Sequence, residues 1–171
     1  MMVDLSIIEK ASREFCKGID RLNLAYEYND KYTLSKSNKN SKKIMRESIE
    51  NVENTADFVA RAIDIMLKAM AYIYIPDIDP IDVRGHRQTN VINLLKSNYD
   101  IAPDLKEIDD LLDNILHSAS TIHDFISSMA YEGNTVYDKT LTRFFDFADR
   151  LKDFGFKHGL NDFEKFLKLH K

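Results

Sequence analysis

The positions Met45, Ile49, Val52, Ala56, Val59, Ile63, Met66, Met70 and Ile73 step by four and three without a miss. That spacing holds one side of an α-helix toward a core. It predicts a helix on the order of 45 Å long, at 1.5 Å per residue. The series stops at YIYIPDIDP, where Pro76 and Pro80 remove backbone donors and disfavour helical geometry in the residues before them. Upstream, Leu5, Ile8, Ser12, Phe15, Ile19, Leu22 and Tyr26 repeat the pattern and predict a first helix with one polar member. Between the two, KYTLSKSNKNSKKIMR reads as a loop, with Ser37 or Ser41 as the cap of the second helix.

Downstream, Val91, Leu94 and Leu95 outline a short helix over roughly Gln88 to Ser97. Pro103 suits a first helical turn, and Leu105, Ile108, Leu112, Ile115, Ala119, Ile122, Ile126 and Met129 then predict a fourth helix rivalling the second in length. Gly133 reads as a helix stop and Asn134 or Thr135 as the next cap. Tyr137, Leu141, Phe144, Ala148 and Leu151 define a fifth helix ended by Gly155 and Gly159. Asn161 with Glu164 three residues on has the form of a capping box for a short terminal helix carrying Phe163, Phe166 and Leu167. The expectation is an all-α, up-and-down antiparallel bundle of five principal helices plus a short C-terminal one. The second and fourth helices form its spine, brought close by Ala56 and Ala119.

Length and charge narrow this picture. A chain of 171 residues builds one domain with a sizeable core and is short for two, so residues 1–171 read as a single unit. The 24 Lys+Arg against 28 Asp+Glu give a net charge of −4, which excludes whole-surface attraction to nucleic acid and leaves only a local basic patch. One cysteine, Cys16, forms no internal disulfide, and no zinc-type CxxC occurs, so the expected compartment is the reducing cytoplasm. No stretch approaches the ~18 uninterrupted apolar residues of a membrane span, and the first residues lack the design of an export signal.

Most chemical signatures are missing. There is no GxxxxGK[ST], no GxGxxG and no HExxH, and the paired Glu-x-x-His of di-iron bundles does not occur, so neither cofactor nor metal is expected. Asp113 and His117 lie one helical turn apart, an arrangement that serves a metal, a proton or simple surface pairing. Cys16, beside the core seam, reads as a small buried thiol. Lys36, Lys39, Lys42, Lys43 and Arg46 form a run without an acid between members near the first loop, either phosphate-binding or merely solvated. Phe147, Leu151 and Phe154 outline a second face on the fifth helix, for the terminal helix or a second subunit to cover.

One stretch, DVRGHRQTNVINLL, crowds Arg84, Gly85, His86 and Arg87 ahead of a helix start. Backbone donors at such a start favour an anion, and two arginines with a histidine strengthen that preference. In the antiparallel arrangement the turn containing Tyr131, Glu132, Gly133 and Asn134 comes to the same end. The other reading has His86 capping the helix and the arginines paired with Asp77, Asp79 or Asp82.

The order ARAIDIMLKAM, then Gly85-His86 opening a short helix, then a long helix ending in SMAYEGN, then a closing helix rich in Leu and Phe, resembles the HEPN domain over roughly residues 5 to 157. Ala62, Asp64, Leu67, Lys68 and Ala69 match the character of that family's second helix. The resemblance implies a homodimer, a nucleotidyltransferase partner in a toxin–antitoxin-like pairing, and a nucleotide or RNA ligand. It also implies, for one subset, metal-independent ribonuclease activity. The ribonuclease spacing of an Arg four to six residues before a His is missing: Arg84 and His86 are too close, and Arg150 and His158 have seven residues between them. Where a related branch ends its helix in Ala-Arg-Tyr-Pro-Asp, this chain keeps Tyr131 but has Ala130 for the arginine. The expected site is therefore a non-catalytic one lined by Asp64, Lys68, Arg84, His86, Arg87 and Tyr131. The competing enzyme reading gives His86 the acid–base role and Arg84 or Arg87 the stabilisation of phosphate charge. The third alternative is a purely structural bundle.

Overall fold

The structure is a computed structural model describing residues 4–36, 42–75, 77–85, 88–127 and 134–170; the side chains at 35–36, 42–49, 127 and 134–137 are outside the description. Its elements are α1 (Leu5–Lys36), α2 (Lys42–Tyr74), α3 (Gln88–Lys96), α4 (Asp109–His117), α5 (Ala119–Ser127), α6 (Asn134–His158) and α7 (Phe163–Leu169), with single 3-10 turns at Pro80–Val83 and Pro103–Ile108. Among the described residues there is no strand. The all-α bundle is as the periodicity predicts, and the α2 seam from Val52 through Ala56, Val59, Ile63, Met66, Met70 and Ile73 is buried throughout.

The spine differs from expectation. α2 packs chiefly against α1, not against the helices that follow Pro103. Tyr28 stacks on Phe58 at 5.3 Å, Gly18 faces Met66 and Ala62, and Ala11 shares a cavity wall with Ala69. Partner numbers fall as α1 numbers rise, so the two form an antiparallel hairpin. Gly18 makes the close approach, since a Cβ there would lie 2.6 Å from Met66 Cγ and 3.4 Å from the Ala62 carbonyl. Both helices are longer than the apolar seams suggest: α1 runs to Lys36, and α2 starts at Lys42, giving it 33 residues and about 50 Å. The basic run is accordingly not one loop, for Lys36 closes α1 and Lys42, Lys43 and Arg46 lie in α2. The capping candidates Ser37 and Ser41, together with Lys39, lie outside the described residues.

The long fourth helix is broken into a 3-10 turn, α4 and α5. At Ser118 (φ −101°, ψ 3°) the backbone N–H bonds the Ile115 carbonyl at 3.0 Å, a tightened turn that ends α4. The apolar stripe passes through it unbroken, with Leu112, Ile115, Ala119 and Ile122 all buried. A side-chain pattern registers which face is buried and is blind to one local shift in backbone hydrogen bonding.

α6 crosses the hairpin and continues through Gly155 to His158, where the sequence had suggested a stop. A Cβ at position 155 would fall 2.2 Å from Cζ of Phe15, so the glycine admits the fully buried Phe15 ring. The true stop is Gly159, at φ +76°, where the Leu160 N–H reaches back to the Gly155 carbonyl at 2.8 Å in a Schellman closure. α7 is capped by Asp162, whose carboxylate accepts from Lys165 N–H at 3.3 Å, one residue later than the Asn161 predicted. The chain then folds back. Phe147, Leu151 and Phe154 are buried within this one chain, and α7 lays Phe166 beside Tyr74, so the second aromatic face needs no second subunit to cover it.

Candidate functional site

Asp64 and Lys68 sit one turn apart on α2, where an i, i+4 acid and base meet. Lys68 Nζ donates to Asp64 Oδ2 at 2.9 Å and to the Gly85 carbonyl at 2.5 Å. Gln88, the first residue of α3, donates from Nε2 to Asp64 Oδ1 at 2.6 Å. Asp64 is 5% exposed and Gln88 1%. A carboxylate so far from water is stable only when paired and hydrogen-bonded. Gly85 adopts φ +78°, a left-handed conformation that turns its carbonyl onto the lysine. This network ties the 84–85 turn to the body of α2.

Lys68 and Asp64 also line a cavity of about 430 Å³ between α1 and α2. Lys10 and Glu14 on α1 supply the opposite charges, and Ile7, Ala11, Ile65, Ala69 and Tyr72 supply apolar wall. Pockets of this size with a few converging polar groups on an apolar lining are typical small-molecule sites. Nothing in the sequence pattern pointed to α1 as a wall. Lys10 and Glu14 reach the site only because the hairpin places them on the wall opposite Lys68.

Of the six residues expected to line a site, the structure brings Asp64 and Lys68 together and places the exposed Arg84 on the turn they hold. His86, Arg87 and Tyr131 lie outside the described residues, as do Met129, Ala130, Glu132 and Gly133 and the expected meeting of that turn with the Arg-Gly-His-Arg stretch. The alternative pairing of arginine with acid is not formed at Arg84, which has no ion-pair partner among the described residues. Asp79 instead caps the 3-10 turn by accepting from Ile81 N–H at 3.0 Å.

Other candidates resolve as structural. His117 Nδ1 contacts the backbone carbonyl of Asp113 at 2.7 Å, while the Asp113 carboxylate holds Lys96, so the two side chains are not joined in one site. The thiol of Cys16 is half-buried and donates to the Asn161 carbonyl at 3.2 Å. Burial first, and then Asp20 and Asp162, push it above its ordinary pKa, the opposite of a reactive thiolate.

A second cluster, which sequence reasoning missed, gathers where α7 folds back. Asp104, His158 and His170 bring ligand-type atoms within 4.8 Å of one another. The Tyr74 hydroxyl lies 3.4 Å from the same Asp104 oxygen; burial and the adjacent Asp104 keep this phenol protonated far above its usual range.

No helix among the described residues is long and apolar enough to cross a membrane. Comparisons of this chain with protein-family models, with curated proteins and with solved structures find no match. The class defined by fold and geometry is thus an all-α bundle with a charged, partly apolar cavity in its principal hairpin.

Proposed function

We propose that this chain is a HEPN-like binding module, non-catalytic and homodimeric, that holds a nucleotide-class anion at the α1–α2 cavity and the adjoining Arg84 turn. In that role it regulates a nucleotidyltransferase partner. The observation that supports this reading is the double engagement of Lys68, which lines the cavity and at the same time fastens the Gly85 carbonyl. That bond sets Arg84, a guanidinium with no ion-pair partner among the described residues, on the turn beside the cavity, with Lys10 on the opposite wall. Cations in fixed positions suit phosphate oxygens, and an apolar wall with Tyr72 suits a base.

Titration calorimetry in EDTA with mononucleotides, dinucleotides and a short RNA tests it. The expected result is micromolar binding of at least one nucleotide, weakened about tenfold, or 1.4 kcal/mol, by Lys10→Glu and by Arg84→Glu. Both positions are exposed, so neither change threatens the fold. Absence of binding to every probe refutes the reading. Cleavage of the RNA by wild type and not by His86→Ala would replace binding with catalysis.

A further inference from the structure

We propose that Asp104, His158 and His170 form a site for one zinc-class divalent transition-metal ion that clamps the terminal helix to the bundle. This inference is independent of the α1–α2 cavity. The three residues come from the Pro103–Ile108 turn, the last position of α6 and the position just after α7. Their ligand-type atoms lie within 4.8 Å of one another, with Asp104 Oδ2 3.2 Å from His158 Nδ1 and 2.8 Å from His170 Nε2.

The far side of each ring decides what that convergence means. His170 Nδ1 lies 2.8 Å from the Phe166 carbonyl, which can only accept, so a ring that ligates a metal through Nε2 keeps its proton on Nδ1. In the neutral ring Nε2 is then a lone pair aimed at a carboxylate oxygen. His158 Nε2 lies 3.0 Å from Glu107 Oε2, so a neutral ring that donates its proton to Glu107 turns its Nδ1 lone pair toward Asp104. With both rings neutral, three electron-rich atoms face a common centre, and one cation placed there satisfies all three.

The outer contacts are those of a metal site, where a ligating histidine donates its other N–H to a carboxylate or a backbone carbonyl. Here His158 has the carboxylate and His170 the carbonyl. Bonds of roughly 2.0–2.1 Å in tetrahedral geometry separate ligand atoms by about 3.3 Å. The two aspartate–histidine spacings, 2.8 and 3.2 Å, need only a few tenths of adjustment, and all three atoms lie within 4.8 Å of one another. Two imidazoles with one carboxylate favour zinc and its first-row neighbours over magnesium or calcium, which prefer oxygen. The His158 side chain is 12% exposed, His170 25% and Asp104 28%, which leaves an approach from solvent and room for a fourth, water ligand. Lys157 shares Glu107 at 2.9 Å but is 65% exposed, so its repulsion is screened.

The test is a zinc titration of the full chain, stripped with EDTA and dialysed, against a competing chromophoric chelator near neutral pH. The expected result is one equivalent bound, with cobalt(II) giving the d–d absorption of a four- or five-coordinate ion. His170→Ala and Asp104→Asn should each weaken binding at least about 100-fold, Glu107→Gln about 10- to 100-fold, and His117→Ala not at all. His170 stands at the end of α7, so its variant keeps the bundle, and far-UV circular dichroism checks this. In wild type, ¹⁵N shifts should report coordination through Nδ1 of one histidine and Nε2 of another. Failure of wild type to bind a stoichiometric ion, or binding undiminished in His170→Ala, overturns the proposal and leaves the cluster as imidazolium–carboxylate pairing.

Discussion

Replacing Lys68 with methionine preserves the aliphatic stem and removes one charge from the Asp64 network. The side chains of Lys68 and Asp64 are 25% and 8% exposed, so the change takes this cation from a carboxylate that water reaches poorly. Breaking a buried pair by removing one partner costs about 3–5 kcal/mol. The quarter-exposed lysine argues for the lower end, about 3 kcal/mol. In a domain of this size each kcal/mol moves Tm by about 2–4 °C, so the loss should be roughly 6–12 °C. Adding Asp64→Asn to Lys68→Met removes the buried charge while leaving an acceptor for Gln88 Nε2, which now lies 2.6 Å from Asp64 Oδ1. The double variant should therefore recover most of the loss, and urea unfolding of the four proteins gives the coupling directly. A Lys68→Met cost under about 1 kcal/mol, the value of a surface pair, would refute the view that this network is desolvated.

Gly155→Ala gains about 1 kcal/mol of helix propensity but drives a methyl to 2.2 Å from the immobile Phe15 ring, an overpacking worth about 1–3 kcal/mol, so urea unfolding should show a net loss. At Gly18 the obstacle is the flexible Met66 side chain, and the same substitution should come out closer to neutral. Tyr26, Tyr74 and Tyr99 all have phenols raised above their ordinary pKa, by burial first and then by Asp149, Asp104 and Asp109 respectively. Their contribution is fully present below about pH 10 and is lost as pH rises further, because only the unfolded chain ionises them readily. Tyrosinate absorbance should show these three of the eight tyrosines silent until alkaline unfolding, and a single smooth titration of all eight would contradict it. Arg84→Gln should alter stability by less than about 0.5 kcal/mol, since no described acid pairs with it, whereas a structural ion pair there would show a clear drop in chemical unfolding.

Burial along α1 and α2 was legible because the three-and-four step records the face turned to a core, and in both helices that face is long. Where the helices end, and which of them are partners, was not. Lys31 and Thr33 continue α1 as exposed helix, since lysine and threonine disfavour burial far more than they disfavour helix. The pairing of α1 with α2 depends on Gly18, whose absent side chain leaves no mark in an apolar pattern. Of the α1–α2 site, Asp64 and Lys68 were expected only through the resemblance of their helix to a family motif, and Lys10 and Glu14 join them only through the hairpin.

The histidine–aspartate cluster shows why chemistry is harder to read than burial. Asp104 is 54 residues from His158, and the histidines stand 12 apart with a chain reversal between them. No spacing rule for one helix or one loop connects such positions. The connection is made by Gly159, whose positive φ ends α6 and sends the chain back, and by Asp162, whose cap starts α7 in the new direction. Phe166 then buries itself near Tyr74, stacks on the His170 ring at 4.1 Å and holds its Nδ1 through the backbone carbonyl. The apolar anchor that closes the fold thus also orients the imidazole. A glycine reversal between two histidines, followed by an apolar anchor one helical turn before the second, is the sequence signal that was present and not read.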